Sequence, residues 1–421
     1  MAARLNELID NLNCKIILTQ SDFLPSTHVQ RLARRKISVT AAVAKGNEML
    51  GALQEYFWRR RDELLANPKA QDWSVSLPFV RTIANNRARD LFSLCTGFIH
   101  TQIVTACVEL DVLEKLAAGP ISAEDLATKI KLEIASAERL LDAAVALRLI
   151  RRARSGHYRL DELGAVLRGA PGVMQMIRHN QTFYRDAQDP VAILRGLQGA
   201  TELSEYWPYA EGDARVRHLQ GAEIADYSAL MAATLPQISS DVIAAYSFRK
   251  HSSLLDVGGG NGAFVAAVAR SAPKLNVCVV DLPSVAEQAK LQFRQMGLGY
   301  RASAIGGDFH RDPLPGSADI ISLVRILLDH DDDKVRHLLS AAHKALPSGG
   351  RILIAEPMSR APGAELLSDA YFGLYLMAMG RGRTRTVDHI RELLGESGFA
   401  NPKLLRTRRP LMTQVMIANK D

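Results

Sequence analysis

Beyond Ser253, the sequence alternates between short apolar runs and longer amphipathic runs. The apolar runs are SLLDV, NVCVVD, ADIISLV and RILIAEP, and the amphipathic runs between them are AFVAAVARSA, VAEQAKLQFRQM and DKVRHLLSAAHKAL. Strands and helices in strict alternation predict an α/β fold with a doubly wound, Rossmann-like sheet. Ligands of such sheets bind beyond the carboxyl ends of the strands, so the polar residues that follow each apolar run are the first candidates for a site.

The chain is predicted to contain three parts, because 421 residues exceed one average domain. Residues 1–80 are predicted to form a helical N-terminal extension, residues 81–245 a helical dimerisation and winged-helix domain, and residues 246–421 the α/β domain. In the middle part, two helical runs precede RRARSGHYRL, where a glycine turn separates two short extended runs, which is the winged-helix order. Ser122 is placed to cap the first of these helices. The runs PKLLRTR and TQVMIAN predict an antiparallel hairpin that closes the sheet.

Winged helices often bind DNA, so a DNA-binding regulator is one alternative. The polar face of the second helix carries Glu138, Arg139 and Asp142. Two acids against one base form a poor surface for phosphates, although Arg151, Arg152 and Arg154 in the wing could compensate. A role in dimer formation is therefore favoured, with no nucleic-acid partner.

Composition describes an ordinary folded protein, with 47% hydrophobic and 23% charged residues. A net charge of +7 would suit an anionic partner, but it is spread over 421 residues, which is typical of solvated faces. Cys14, Cys95, Cys107 and Cys278 are scattered, and we expect them to be buried thiols in a reducing cytoplasm. No unbroken apolar run of about 18 residues predicts a spanning helix, and the N-terminus does not resemble a secretory signal.

The stretch LLDVGGGNGAF is the first candidate binding site. Gly258, Gly260 and Gly262 follow a strand and open a helix, so a ligand can approach the backbone closely. These glycines alone also fit a dinucleotide-binding loop. Asp256 favours another ligand, because a carboxylate before the loop repels a pyrophosphate and suits a cation. S-adenosylmethionine carries both an ammonium and a sulfonium group.

Two further acids lie where that ligand needs them. Asp281 ends the next strand, about twenty residues after the glycine loop, where a carboxylate can accept both ribose hydroxyls. Asp308 and Phe309 follow a third strand, where the acid can accept the adenine amino group and the ring can pack near the base. The ordered set predicts S-adenosylmethionine as cofactor and methyl transfer as the reaction.

With these motifs, the chain resembles the class of O-methyltransferases that act on plant phenols, bacterial polyketides and N-acetylserotonin. The likeness covers about residues 85–421 and includes LDVGGGNG, VVDLP, GDF and EPM. Within that class it is most similar to the purple-bacterial carotenoid enzymes, which act on demethylspheroidene or hydroxyneurosporene. The phrases that carry this closer likeness are FYRDAQDPVAILRG, YWPYA, SLVRILLDHDD, AEPMSR and LYLMAMGRGRTRT.

The resemblance implies roles for several further residues. Arg325 would contact the cofactor, and Tyr227, Met231, Met377 and Met379 would lie near the substrate. The two methionines after residue 375 also have the spacing of any buried helix, so core packing is an equally open interpretation. Methionine flexibility nonetheless suits a pocket for a long polyene.

The family's usual catalytic arrangement is broken in this chain. Its members carry xxHDW with the histidine as general base; aligned on Asp329, that histidine corresponds to Leu328, and His330 takes the place of the tryptophan. The family's later glutamate corresponds to Thr384, whereas the glutamate of the EPM strand persists as Glu356. If this segment is a strand, positions 328 and 330 face the same way.

The substrate implied by the resemblance makes sense of this departure. A tertiary alcohol is far less acidic than a phenol, so early deprotonation by an imidazole gains little. Transfer can depend instead on holding the oxygen in line with the methyl group in a dry pocket, with Leu328 extending an apolar wall. His330 and Glu356 are the candidate catalytic residues; His330 is either a late proton acceptor or a structural residue. No metal is predicted, because acids that follow a strand usually face solvent.

The expected protein is therefore a homodimeric S-adenosylmethionine-dependent O-methyltransferase of carotenoid biosynthesis. A methyltransferase of bacteriochlorophyll or aromatic polyketide biosynthesis is the alternative of the same build. Two groups of arginines predict a basic surface, and with a lipid-soluble substrate they suggest a cytoplasmic enzyme in peripheral contact with the inner or photosynthetic membrane. The two groups are Arg381, Arg383 and Arg385, and Arg406, Arg408 and Arg409.

Overall fold

A computed structural model of the chain describes residues 50–197, 199–206, 221–361 and 363–421, and for residues 206 and 221–232 it describes the backbone alone. The first 49 residues of the predicted extension and Cys14 lie outside the described residues. The chain divides into two compact units, Met1–Phe98 and Ile99–Asp421.

The described part of the first unit is helical. Residues 50–66 form α1, Pro68–Ser76 form α2, and Pro78–Glu109 form α3, which continues into the second unit. Helix α2 begins where the Asn67 side chain accepts hydrogen bonds from the next turn and proline occupies the first position. Within the described ranges, α3 is the one helix long and apolar enough to cross a membrane. It runs through residue 80, where the extension was predicted to end.

The winged helix forms where its sequence order predicts it. It consists of α4 (Val112–Ala117), α5 (Ala123–Ile130), α6 (Ile134–Ala146), β1 (Ile150–Arg152) and β2 (Tyr158–Leu160). The Ser122 hydroxyl accepts a hydrogen bond from the Asp125 amide at 3.0 Å and caps α5. Strands β1 and β2 pair antiparallel around Gly156, whose φ is +83°. The buried side chains Leu126, Leu141 and Ile150 form its core.

Helices connect the winged helix to the sheet. They are α7 (Glu162–Arg168), α8 (Pro171–Asp186), α9 (Pro190–Leu194), α10 (Glu202–Tyr206) and α11 (Gly221–Ala245).

The last part of the chain is a seven-stranded sheet with strand order β5-β4-β3-β6-β7-β9-β8. Strands β3 to β7 are parallel, and β9 lies antiparallel between β7 and β8. The strands are β3 (Ser253–Val257), β4 (Asn276–Asp281), β5 (Ala302–Gly306), β6 (Ile320–Val324), β7 (Arg351–Glu356), β8 (Phe399–Leu405) and β9 (Gln414–Lys420). The helices are α12 (Ala263–Ser271), α13 (Pro283–Gln295), α14 (Asp332–Ala345), α15 (Phe372–Met379) and α16 (Val387–Glu396). The predicted doubly wound sheet and its closing hairpin are confirmed.

Helices cover both faces of the sheet, which explains the near-continuous apolar runs of its strands. One apolar cluster joins α11, α12 and α13 to one face and contains Phe248, Phe264 and Phe293. A second joins α14 and α16 to the other face and contains Leu338 and Leu393. The chain order of the strands reverses between β3 and β6, so the loops at their carboxyl ends diverge and leave a crevice there.

Several side chains lie elsewhere than the sequence suggested. Strand β6 ends at Val324, and Leu327–Asp329 form a 3₁₀ turn, so residues 328 and 330 do not alternate as in a strand. Cys95 is exposed instead of buried. Arg385 is only 3% exposed, and Arg409 forms a hydrogen-bonded ion pair with the buried Asp241. The expected basic surface is therefore wrong for Arg385, whereas Arg409 is exposed at the surface with its charge paired to Asp241.

Candidate active site

A cavity of about 660 Å³ lies at the carboxyl ends of β3, β4, β5 and β6, within the unit Ile99–Asp421. Its volume is in the range of ligand pockets. The predicted residues that line it are Asp256, Gly258, Gly260, Asp281, Asp308, Phe309, Arg325, His330 and Met379. Residues from separate parts of the sequence are thus brought together at the edge of the sheet that the strand pattern indicated.

The glycine loop fits its predicted function through its backbone. Gly258, Gly260 and Gly262 have φ of +68°, +58° and +80°, a region that favours glycine. A Cβ on Gly262 would lie 2.4 Å from the Phe293 ring, so this glycine allows close packing at the start of α12 and does not line the cavity. A Cβ on Gly260 would meet nothing within 4 Å, which leaves its backbone open to a ligand.

Asp256 is the acid at the base of the cavity. It is 1% exposed, and one of its oxygens accepts a hydrogen bond from the Ser322 hydroxyl. Burial raises the pKa of its carboxyl to about 7, against the lowering effect of that hydrogen bond. A cationic group in the cavity would stabilise the ionised form, which is the fit that S-adenosylmethionine requires.

Asp281 closes the loop over the cavity. Its two oxygens accept hydrogen bonds of 2.8 Å from the backbone amides of Gly260 and Leu282. Burial raises its pKa to about 6, although both hydrogen bonds act to lower it. Each carboxylate oxygen keeps a second lone pair, so the group can still accept from two neighbouring hydroxyls of a ribose.

Asp308 and Phe309 follow β5 and form a second wall. One Asp308 oxygen accepts a hydrogen bond from the His310 amide at 2.9 Å, which fixes the turn. The Phe309 ring packs against the His310 ring, with centroids 4.5 Å apart. The pair therefore offers a fixed acid and an aromatic surface, as an adenine would need.

Arg325 follows β6 with a left-handed φ of +59°. Its amide donates to the Ala355 carbonyl at 2.9 Å, and its guanidinium donates to the Thr234 hydroxyl on α11 at 2.8 Å. Two hydrogen bonds thus maintain an unusual backbone conformation at Arg325. This conformation places the guanidinium in the cavity wall.

Glu356 does not line the cavity but holds the turn that does. One of its oxygens accepts hydrogen bonds of 2.7 Å from the amides of Ile326 and Leu327. On the other side of the turn, Arg385 donates to the carbonyls of Leu327 and His330. Burial raises the pKa of Glu356 to about 8. In this geometry the Glu356 carboxyl holds the backbone of the turn, and its predicted role in catalysis stays a prediction.

His330 lines the cavity, with its ring 4.6 Å from the His310 ring in an edge-to-face arrangement. Burial lowers its pKa to about 3, and the neighbouring His310, Lys334 and Arg381 act in the same direction. The imidazole is therefore neutral near pH 7. Within the described part of the chain, its buried Nδ1 has no hydrogen-bond partner.

Asp329 also lines the cavity, although no role was predicted for it from the sequence. Burial raises its pKa to about 6, while Arg325 and Arg381 act to lower it. The signal that could have identified it is its place directly after the leucine that replaces the family's histidine.

The predicted substrate residues are distributed unevenly. Met379 lines the cavity, whereas Leu328 packs behind it in an apolar cluster with Phe183 and Tyr375. Met377 is 46% exposed and does not line the cavity. The side chains of Tyr227 and Met231 lie outside the described residues. Among the residues that the structure describes, no group of three or more His, Cys, Asp or Glu could hold a metal ion.

The sequence matches two family models. The model of the O-methyltransferase domain matches residues 197–400, and that of the O-methyltransferase dimerisation domain matches residues 92–168. The second range contains the exposed side chains of Phe92, Leu94 and Phe98 on α3. This domain supports a homodimer.

Individual proteins resemble the chain over most of its length. Demethylspheroidene O-methyltransferase of Cereibacter sphaeroides is 38% identical over 342 residues, which are 81% of this chain and 89% of that protein. The protein of the same name from Rhodobacter capsulatus is 36% identical over 349 residues, 82% and 85% of the two chains. The crystal structure of human N-acetylserotonin methyltransferase in complex with SAM has a TM-score of 0.67 and 26% identity, and covers 79% of this chain and 97% of that chain.

Alanine at the loop glycines should separate binding from folding. Alanine in left-handed backbone costs about 1–2 kcal/mol, and Gly262→Ala adds the clash with Phe293. We expect Gly262→Ala to lower the free energy of unfolding by about 3 kcal/mol or more. Gly260→Ala should lower it by about 1 kcal/mol but weaken S-adenosylmethionine binding about tenfold or more. Urea unfolding and titration calorimetry measure the two effects.

Gly297→Ala, at φ +68° with nothing within 4 Å, is the control for backbone strain alone. Unchanged affinity in Gly260→Ala would contradict the loop's binding role.

The affinity for S-adenosylmethionine should depend on pH through Asp256. Its carboxyl is protonated below about pH 7, and only the ionised form attracts a cation, so affinity should rise as pH rises through 7 and level off above it. Asp256→Asn should bind more weakly and lose this rise, keeping only the dependence near pH 6 that Asp281 causes. Calorimetry across this range tests the expectation. A variant with the wild-type pH dependence would show that another group is responsible.

Proposed function

Because this chain belongs to the O-methyltransferase family and is an S-adenosylmethionine-dependent O-methyltransferase, we propose that its acceptor is the hydroxyl of an acyclic carotenoid. The observation that carries this proposal is the 36–38% identity to two demethylspheroidene O-methyltransferases, whose length the chain spans almost completely. The apolar side chain of Leu328 at the position of the family's histidine supports it, because an alkyl alcohol gains little from an early base.

The cavity would divide between cofactor and acceptor. Asp256 and the glycine loop would hold the cationic part of the cofactor, Asp281 its ribose, and Asp308 with Phe309 its adenine. Arg325 would complete this side. When bound, S-adenosylmethionine supplies an electrophilic methyl group on a sulfonium. The chain's own contribution is to orient the acceptor oxygen towards that group and to exclude water.

The acceptor side would be formed by Met379 and the apolar cluster behind it. Leu328, Phe183 and Tyr375 pack in this cluster, which suits a hydrocarbon more than a polar aromatic ring. His330, neutral and half-buried, stays a candidate for a late contact with the acceptor proton.

We further propose peripheral contact with a membrane, because a carotenoid is dissolved in lipid. The support lies in the described part of the unit Met1–Phe98, which exposes both aromatic and arginine side chains, a combination typical of membrane interfaces. They are Phe57, Trp58, Trp73 and Phe79, with Arg59, Arg60 and Arg61.

The acceptor is tested with purified protein, labelled S-adenosylmethionine and, in separate incubations, a hydroxylated acyclic carotenoid in detergent and a catechol. We expect a methoxy-carotenoid and no methylated catechol. The Asp256→Asn variant, tested in parallel, shows whether product formation depends on this cofactor site. Methylation of the catechol alone would contradict the proposal and return the chain to the phenol-modifying members of its family.

The membrane contact is tested by flotation with anionic lipid vesicles at low ionic strength. We expect the protein to float and the double variant Phe57→Ser with Trp73→Ser to float less, because two exposed aromatic anchors are lost. Leu411→Ser, which removes a 44% exposed apolar side chain in the other unit, is the matched control. The proposal would be contradicted if the wild-type protein stayed in the soluble fraction. It would also be contradicted if the double variant became monomeric but floated as well as wild type.

A further inference from the structure

We propose that Asp329 accepts the proton that leaves the acceptor hydroxyl, in place of the histidine that this chain lacks. The inference rests on the proposed function, since it concerns the same transfer. Asp329 ends the 3₁₀ turn Leu327–Asp329, and it belongs to the cavity wall together with Met379 on the acceptor side. It thus lies in the sequence next to the family's catalytic position and in space beside the acceptor.

The surroundings of Asp329 leave its carboxylate available. No hydrogen bond from a described residue contributes to its pKa, and the side chain is half-buried at the cavity surface. Two cations of the same cavity wall, Arg325 and Arg381, act on it electrostatically. Such a group is desolvated enough to be basic and exposed enough to be reached.

The turn that carries Asp329 is fixed from both sides. Glu356 accepts hydrogen bonds from the amides of Ile326 and Leu327, and Arg385 donates to the carbonyls of Leu327 and His330. Behind the turn, a Cβ on Gly382 would lie 3.0 Å from the Asp329 Cα, so the two backbones are in close contact. A proton acceptor held in this way loses little entropy when it meets the substrate.

Electrostatics favours Asp329 over the other candidates. Leu328 has no atom that accepts a proton, and Glu356 does not line the cavity. His330 would become a cation near Lys334 and Arg381, which is unfavourable in a half-buried site. Asp329 would change from a carboxylate to a neutral acid, so the same proton transfer removes a charge instead of creating one.

The transfer balances with Asp329 as the acceptor. A lone pair of the hydroxyl oxygen forms the new C–O bond, the C–S bond breaks, and its electron pair stays on sulfur. The hydroxyl proton passes to the Asp329 carboxylate. The positive charge on the cofactor and the negative charge on Asp329 disappear together, which a low-dielectric cavity favours. An alcohol oxygen that has gained an alkyl group is strongly acidic, so a carboxylate is a sufficient base for this late transfer.

The pH dependence follows from the groups that face Asp329. These are Arg325 after β6, Glu356 at the end of β7, Arg381 after α15 and His330 beside it, and across the cavity Asp333, Lys334 and His337 on α14. Burial raises the pKa of Asp329 to about 6. The basic form is therefore present above pH 6, and activity should fall as pH drops through this value.

The experiment compares wild type with Asp329→Asn, Asp329→Glu and His330→Asn, and with Asp388→Asn as a control at an acid whose side chain is 83% exposed. Three quantities are measured: kcat against pH with the acceptor that wild type methylates, cofactor affinity by calorimetry, and the infrared titration of protonated carboxyl groups in the protein alone. The last measurement needs neither cofactor nor acceptor.

We expect Asp329→Asn to lower kcat about 100-fold or more, to lose the decline below pH 6, and to bind the cofactor within a few-fold of wild type. Asp329→Glu should restore part of the activity together with the decline at low pH. The infrared titration near pH 6 should be smaller in Asp329→Asn than in wild type by one carboxyl group, because Asp281 also titrates there.

Three results would overturn the inference. Asp329→Asn could keep wild-type kcat; the low-pH decline could persist in Asp329→Asn and vanish in His330→Asn; or the infrared titration near pH 6 could be the same in wild type and Asp329→Asn. A wild type that methylates neither carotenoid nor catechol would instead refute the proposed function, and the inference would fall with it. The two failures are distinguishable, because the second is visible in wild type alone.

Discussion

Burial of carboxyl groups at one end of the sheet is the constraint on which the site depends. Asp256, Asp281 and Glu356 are buried and Asp329 is half-buried, and desolvation raises all four pKa values, to between about 6 and about 8. The folded protein therefore binds more protons than the unfolded chain from about pH 4 upwards to these values, and its free energy of unfolding declines as pH rises through that window. A bound cation offsets this loss, so the cofactor and the stability of the domain are coupled.

Buried ionisable side chains also fix the turn between β6 and α14. Glu356 accepts from the amides of Ile326 and Leu327, and Arg385 donates to the carbonyls of Leu327 and His330, so two buried ionisable side chains hold four peptide groups of the turn. Glu356 therefore has a structural function even though leucine replaces the family's histidine at position 328. Its hydrogen bonds go to backbone amides and not to an imidazole. The arrangement is rigid, as a site that positions a reactant requires.

Most of the fold could be predicted from the sequence, because it depends on patterns with a period. Alternating runs indicated the sheet, Ser122 marked a helix start, and the glycines with Asp256, Asp281 and Asp308 indicated the edge that carries the cavity. The positions of Leu328 and His330 could not be predicted, because the strand stops at Val324 and a 3₁₀ turn changes which way each side chain points. Arg385 was misplaced for a similar reason: a charged residue is expected at the surface, and only tertiary hydrogen bonds reveal that it is buried.

The loss of the family's histidine has an electrostatic consequence beyond the loss of a base. A protonated imidazole at position 328, behind the cavity, would add a cation to a region whose cavity wall already contains Arg325 and Arg381. Leucine removes that charge and joins the apolar cluster of Phe183 and Tyr375. What remains in the cavity wall is the carboxylate of Asp329, whose charge would oppose the positive charge that methyl transfer removes. A cavity organised in this way suits an acceptor that enters neutral and leaves neutral, with no ionised phenol to stabilise at any stage.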